Sequence, residues 1–453
     1  MVNELRELMH EATDRPPRDQ DDLSAVLSGG RRRVRVRRAA VVGGTALAAG
    51  AISLGSYAWL NPAPADLAAA GVPRAEGPVI RVAGAQPAVE GEDYRELTSY
   101  ANEDLDTDNG EYFDGVTDDG LVLFREGQTA ERMVERYALM DPATGEKWWL
   151  PERPGDGEQS WAIELGSERL VIMRLVTVGS STLMETRPVL DVYDRTTGTW
   201  RTITWPGLPA SDFPSFVQIG PDGRAYVAVM ADRGDIPEGG RPTLPSGEVD
   251  ESDAEGDVRA LWSMSLTDPD DARDEGVRVG SFAFDGDDMV WTDSTNGAAG
   301  MVHVRDLTTG EESSFDPRLG ERCNLLGFDA AGGRIAMTQY CGTYDGVRDD
   351  RVQVVTKDGE QVVTLQDDGI DAGDLVAGGD YLTLTSYARA TVGTYLYDFD
   401  ERQLLRLSDS RSAFTVGQGP TPGDQLMWTT ASGALSRTFG NAGGEVHLGE
   451  IIR

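Results

Sequence analysis

Lysine is nearly missing: Lys147 and Lys357 are the only two in 453 residues, so almost every positive charge is an arginine. Cysteine is limited to Cys323 and Cys341, which excludes a disulfide-dense scaffold and any four-cysteine metal centre. Histidine occurs three times, at His10, His303 and His447. The last two sit in MVHVRD and EVHLGE, between apolar neighbours in alternating segments, which is the pattern of structural strand residues. No HExxH, CxxC, GxSxG, phosphate-binding or dinucleotide fingerprint occurs, so a zinc peptidase, a serine hydrolase or a nucleotide enzyme has no visible machinery. Positive charge is scarce overall. Residues 1–38 hold 9 Arg and 7 acids, leaving 32 basic and 70 acidic groups downstream. Such a polyanion repels phosphate backbones, which argues against a nucleic-acid partner. Among so many acids a carboxylate pair for glycosidic cleavage would be hidden, and none is singled out.

One long uncharged run is present. Residues 39–60, AAVVGGTALAAGAISLGSYAWL, are long enough at about 1.5 Å per residue to cross a hydrocarbon core as a helix. RRRVRVRR at 31–38 precedes it, so the positive-inside rule keeps 1–38 in the cytoplasm as a short basic tail and places the rest outside. The alternative is a cleaved export signal, with twin arginines before the run and Ala63-Pro64-Ala65 as cleavage pattern; the product would then be secreted. Residues 61–92 read as an Ala/Pro-rich spacer, and 93–453 as the outer domain.

That domain repeats. GVTDDGLVLF, IELGSERLVIM, VQIGPDGRAYVAV, FAFDGDDMVW, LGFDAAGGRIAM, DLVAGGDYLTL and VGQGPTPGDQLMW each read as a strand, a turn and a returning strand. Markers at Gly120, Ser167, Gly223, Gly286, Gly333, Gly379 and Gly423 repeat about every 45 residues once insertions at 178–188 and 234–257 are removed. This is the period of a four-stranded propeller blade. A second turn recurs at Asp141–Gly145, Asp194–Gly198, Asp306–Gly310 and, degenerately, Lys357–Gly359; Asp caps the turn and Gly takes positive φ. In YALMDPATGEKWW, LDVYDRTTGTW and VHVRDLTTGE these turns resemble those of WD-repeat and pyrroloquinoline-quinone-repeat propellers. The expected fold is therefore all-β, a propeller of about seven four-stranded blades, with six or eight blades or a pair of β-sandwiches as alternatives. The quinone-repeat likeness implies an axial cofactor in some relatives, but the adjacent cysteines and CxxCH of that family are absent, so no cofactor is expected.

Calcium is the one metal suggested. Asp104, Asp106 and Asp108 alternate in DLDTDNGEYFDG, although glycine and glutamate are missing from the EF-hand positions and a solvated acidic turn is the simpler reading of the segment. The tryptophans, Trp148, Trp149, Trp200 and Trp205 among them, suit either a glycan-binding face or packing between blades. Cys323 and Cys341 flank CNLLGFDAAGGRIAMTQYC with their midpoint at residue 332. An odd loop centred there sets them opposite each other across a hairpin, where an oxidising compartment permits a disulfide; two buried thiols are the alternative.

The resulting expectation is a membrane-anchored extracytoplasmic propeller that binds or scaffolds a protein or glycan ligand. In layout, ELRELMHEATDRPP followed by RRRVRVRR resembles actinobacterial single-pass proteins, some associated with extracytoplasmic-function sigma factors. That resemblance implies a second role, as a sensor whose tail meets a cytoplasmic partner. A propeller enzyme is the third.

Overall fold

The computed structural model describes residues 67–452 except 69, 102–110, 128–134, 156–159, 178–184, 212–216, 233–257, 294–298, 320–322, 377, 412–418 and 431–443. The tail 1–38, the apolar run 39–60 and the calcium candidates Asp104, Asp106 and Asp108 lie outside the described residues. Among the described residues no helix is long and apolar enough to cross a membrane.

Among the described residues seven sheets follow one another in chain order. Sheets 1 to 6 span 111–149, 160–203, 218–279, 282–315, 324–367 and 370–408, each with four antiparallel strands paired in chain order; sheet 7 contains 425–430 and 445–451. The second strand of sheet 2 explains why the strands are apolar throughout instead of alternating. Leu170, Val171, Ile172 and Met173 are all fully buried. Successive side chains point to opposite faces, and here both faces are covered: Leu170 and Ile172 pack with Leu123 and Tyr137 of sheet 1, while Val171 and Met173 pack with Ala225 and Val227 of sheet 3. The pattern continues through the molecule. Sheets 3 and 4 share a core around Leu261 and Trp291, sheets 4 and 5 one around Val290 and Ile335, sheets 5 and 6 one around Val352 and Leu384, and sheets 6 and 7 one around Leu396 and Trp428. Sheet 7 then shares a core with sheet 1, where Val446 and Leu448 meet Phe113 and Phe124.

The segment that precedes the sheets holds the last three of them together. Strands β1 (Val79–Ile80) and β2 (Gln86–Pro87) add in parallel to the outer strands of sheets 5 and 6, and β3 (Tyr94–Ala101) pairs antiparallel with 445–451 to complete sheet 7. Between β1 and β2 a single 3-10 turn, Val82–Gly84, drives Val82 into the core between sheets 5 and 6. Leu67 and Val72 pack on Val347 of sheet 5. The spacer expected over 61–92 is therefore corrected: from Leu67 onward this segment is a strap belonging to the folded domain. Its strands are two residues long, too short for any periodicity to reveal them.

Connections divide by end. First-to-second and third-to-fourth strand turns leave from one end of the sheets, called here the turn end, and second-to-third connections and links between sheets leave from the other. The turns are tight. Asp194 Oδ1 accepts the N–H groups of Thr196 (2.8 Å) and Thr197 (2.9 Å), Asp306 Oδ1 those of Thr308 (2.7 Å) and Thr309 (2.8 Å), and Gly198 and Gly310 take φ of 70° and 75°. Turns of adjacent sheets also interlock: a Cβ on Gly332 of sheet 5 would lie 2.5 Å from the carbonyl oxygen of Gly378 in sheet 6.

Candidate functional site

The innermost strands carry two acids that the turn pattern had concealed. Asp329 lies near the turn end of the first strand of sheet 5, and Asp374 lies at the corresponding end of the first strand of sheet 6. The two strands are bridged by Asp329 itself, whose Oδ2 accepts the N–H of Leu375 (2.8 Å) while Oδ1 accepts that of Ala330 (2.9 Å). Burial raises the Asp329 carboxyl above its ordinary value, and these two N–H groups work in the opposite direction by favouring its charged form. Asp374 has no such donors among the described residues. Crowding by protein, then the Asp329 charge, push its carboxyl up to about 7. Its side chain still meets solvent, which screens part of this effect and leaves its direction upward. Two neighbouring carboxyls in unlike surroundings form a pair in which one is the better anion and the other the better acid.

An open cavity of about 300 Å³ lies at the same end, lined by the first-strand ends of sheets 1 to 3 (Val116, Asp118, Ile163, Glu164, Ile219) and by Pro420–Pro422, which precede sheet 7. That volume is at the small end of the range for ligand pockets. Glu164 in it is paired with Arg169 at 2.6 Å, which leaves Asp118 as the second acid facing the opening.

Each sheet is a blade packed face to face with its neighbours in sequence. The fold is a β-propeller. No family model matches the sequence, and no curated protein matches it. Similar solved structures include an oligogalacturonate lyase in complex with manganese (TM-score 0.47, 11% identity, covering 82% of this chain and 99% of that one). The β-propeller domain of the Trilobed protease from Pyrococcus furiosus is similar at a TM-score of 0.41 and 10% identity, covering 71% and 91%. A Mycobacterium tuberculosis puromycin-hydrolyzing peptidase is similar at 0.43 and 13%, covering 75% of this chain and 53% of its own, so this propeller spans about half of that peptidase. At these identities the likeness extends to the fold alone. The similar structures are chiefly enzymes, and on that finding the expectation of a binding or scaffolding module is corrected.

The remaining candidates take structural places. Cys323 and Cys341 are joined by a disulfide, with Cα atoms 3.9 Å apart. The register that brings them together differs from the expected odd loop: Ala331 pairs with Arg334 across a two-residue Gly332-Gly333 turn, and a bulge between Leu325 and Gly327 shifts the ladder so that Asn324 faces Tyr340. The next pair outward is then Cys323 and Cys341. His303 stacks on Trp291 and bonds Asp293 (3.0 Å), and His447 stacks on Trp428 between Glu96 (2.8 Å) and Thr430 (2.7 Å). Each imidazole stands opposite a tryptophan of the adjacent antiparallel strand. Trp205 is buried, Trp200 donates to the Pro151 carbonyl oxygen (2.8 Å), and Trp148 and Trp149 are exposed on the outer strand of sheet 1. The four tryptophans therefore form no common face. Among the described residues no group of three His, Cys, Asp or Glu could hold a metal ion.

Acids crowded by protein give the molecule a distinct pH response. Asp114, Asp329, Asp350, Asp368 and Asp371 are all raised, in each case first by loss of water, Asp350 to about 6, and the more exposed Asp374 is raised in the same direction. A carboxyl raised on folding binds its proton more tightly in the native state, so its contribution is fully present below the unfolded value and is lost as pH rises through the folded one. Asp119, lowered to about 2 by its bond to Arg195, acts in the opposite sense, and only at pH below about 4. The thermal midpoint is expected to be higher at about pH 5 than at about pH 8. Calorimetry across that window checks this, and a midpoint that falls on acidification contradicts it.

Proposed function

We propose that this chain is a membrane-tethered extracytoplasmic enzyme, a seven-bladed propeller that performs proton-transfer chemistry at its turn end. The observation that carries the reading is the Asp329–Asp374 pair: one carboxylate fixed by two backbone donors, beside a solvent-reachable carboxyl raised above the ordinary carboxylate range. A general acid or base works best when its pKa lies near the operating pH. In this reading Asp374 exchanges the proton with a small polar substrate at the turn end, and Asp329 sets its pKa. The return of the cores from sheet 7 to sheet 1 supports seven blades closing as a ring, sealed by β3 as an outer strand from the opposite end of the chain. The arginine cluster before 39–60 supports the tether and an outer location, and the Cys323–Cys341 bond suits an oxidising compartment. The turn chemistry supports kinship in form with WD-type and quinone-type propellers.

The test uses the full-length protein in detergent, incubated with panels of oligosaccharides, esters and peptides. Turnover of at least one class is expected, with Asp374→Asn slowed by about 100-fold or more and unchanged in thermal midpoint. Asp329→Asn is expected to move the pH optimum to lower pH, because the charge that raises Asp374 is gone. Equal turnover by wild type and Asp374→Asn sinks the Asp374 assignment, and no turnover of any class sinks the enzyme reading.

A further inference from the structure

A second cavity, of about 550 Å³, opens between the strap and the turn end of sheet 6. On the strap side it is lined by Val79, Ile80, Arg81, Gly84 and Gln86, and on the sheet side by Glu401, Arg402, Gln403 and Leu404. The turn that contributes Arg402 is built like the others. Asp398 Oδ1 accepts the N–H groups of Asp400 (2.8 Å) and Glu401 (2.9 Å), as Asp194 and Asp306 do in sheets 2 and 4. The fifth position of those turns is Gly145, Gly198 or Gly310, at φ of 70° to 75°. In sheet 6 it is Arg402, at φ 53°. A left-handed conformation is costly for a residue with a Cβ and free for glycine, and such strain gathers where a side chain has a task. Glycine would make the same turn without that cost, and here the arginine faces a groove.

In this acidic molecule the groove matches its carboxylates with guanidinium groups: Arg81, which is paired with Asp367, and Arg402 beside Glu401. Arg81 is pre-set: its Nε and Nη2 donate to Asp367 at 3.4 and 3.2 Å, and Asp367 is also anchored by the N–H of Ala83 (3.2 Å). Arg402 is exposed. Guanidinium forks match planar and tetrahedral oxyanions. Gln86 and Gln403 supply amides that donate to and accept from hydroxyl groups, Val79, Ile80 and Leu404 supply apolar wall, and no aromatic ring is present to stack a base.

We propose that this groove binds a sugar bearing an oxyanion, with Arg402 and Arg81 holding the anionic group and the two glutamines its hydroxyls. The proposal does not rest on the Asp374 chemistry. Its test is titration calorimetry on the full-length protein with glucuronate, glucose 6-phosphate and glucose. Saturable binding of glucuronate or of glucose 6-phosphate is expected, and whichever binds tighter identifies the anion as carboxylate or phosphate. Glucose is expected to bind at least 10-fold more weakly. Arg402→Gly is the decisive variant, because glycine already makes the same turn in three other sheets. It should fold with an equal or higher thermal midpoint and lose binding at least 10-fold, whereas Arg402→Lys should retain part of it. Binding unchanged in Arg402→Gly, equal binding of glucose, or no binding of either anion overturns the proposal.

Discussion

Replacing Asp191 by alanine is expected to destabilise the protein by about 3–5 kcal/mol, the largest single-residue loss outside the apolar cores. Asp191 is completely buried in the third strand of sheet 2. Its Oδ2 receives Arg153 Nη1 at 2.8 Å and Arg174 Nε at 2.9 Å, and its Oδ1 receives the Thr202 hydroxyl at 2.7 Å. Both guanidinium groups are themselves removed from water, Arg153 almost entirely. Taking away the carboxylate removes the acceptor that two desolvated guanidinium groups share, and the cost is that of the uncompensated buried charge more than that of the lost bonds. Asp191→Asn keeps an acceptor for part of the network and should lose less. Arg195 and Asp119 make a pair of similar length, 2.7 Å, but the Asp119 side chain is 42% exposed. Asp119→Ala should therefore cost less than about 1 kcal/mol. Urea unfolding of the three variants checks the ranking, and an Asp191→Ala loss no larger than that of Asp119→Ala would show that solvent reaches the buried pair.

Deleting the strap, residues 67–93, with β3 retained is expected to cost more than about 3 kcal/mol and to make the protein aggregate. Val82 alone, 1% exposed in the core between sheets 5 and 6, accounts for about 1.5–3 kcal/mol by its burial. Asp367 would lose Arg81 and the Ala83 N–H together, leaving a buried carboxylate short of donors. The outer strands of sheets 5 and 6 would also expose edges now covered by β1 and β2, and open edges invite pairing between molecules. Thermal unfolding and light scattering measure both effects. A deletion variant with an unchanged midpoint, soluble at the wild-type concentration, would show that the strap only decorates the fold.

Much of the architecture was legible in the residue order because it is local. In sheets 1 to 6 each first-to-second strand hairpin joins two apolar strands by a short turn, and the markers from Gly120 to Gly379 fall in those turns one sheet at a time. The Asp and Gly of Asp194–Gly198 and Asp306–Gly310 announce their hairpins because the capping bonds span three residues. In sheet 6 the same turn passed unrecognised, since Arg402 stands where the glycine should be. The histidines were legible as well, for strand alternation alone sends each to the face opposite its apolar neighbours.

What the tertiary structure decided is everything that depends on which residue stands across from which. The strap is invisible to periodicity because β1 and β2 hold two residues each and draw their stability from sheets about 300 residues away in sequence. The cysteines meet through a bulge near Gly327, a shift of one residue that hydrophobic patterning does not encode when both faces of the strand are buried. Asp329 and Asp374 read as ordinary turn acids in LGFDAAGG and DLVAGG; only the packing of sheet 5 against sheet 6 brings the carboxylate of one to the backbone beside the other. A residue's partners within a hairpin follow from short-range geometry, whereas its charge state follows from dehydration and from neighbours that the folded chain alone assembles.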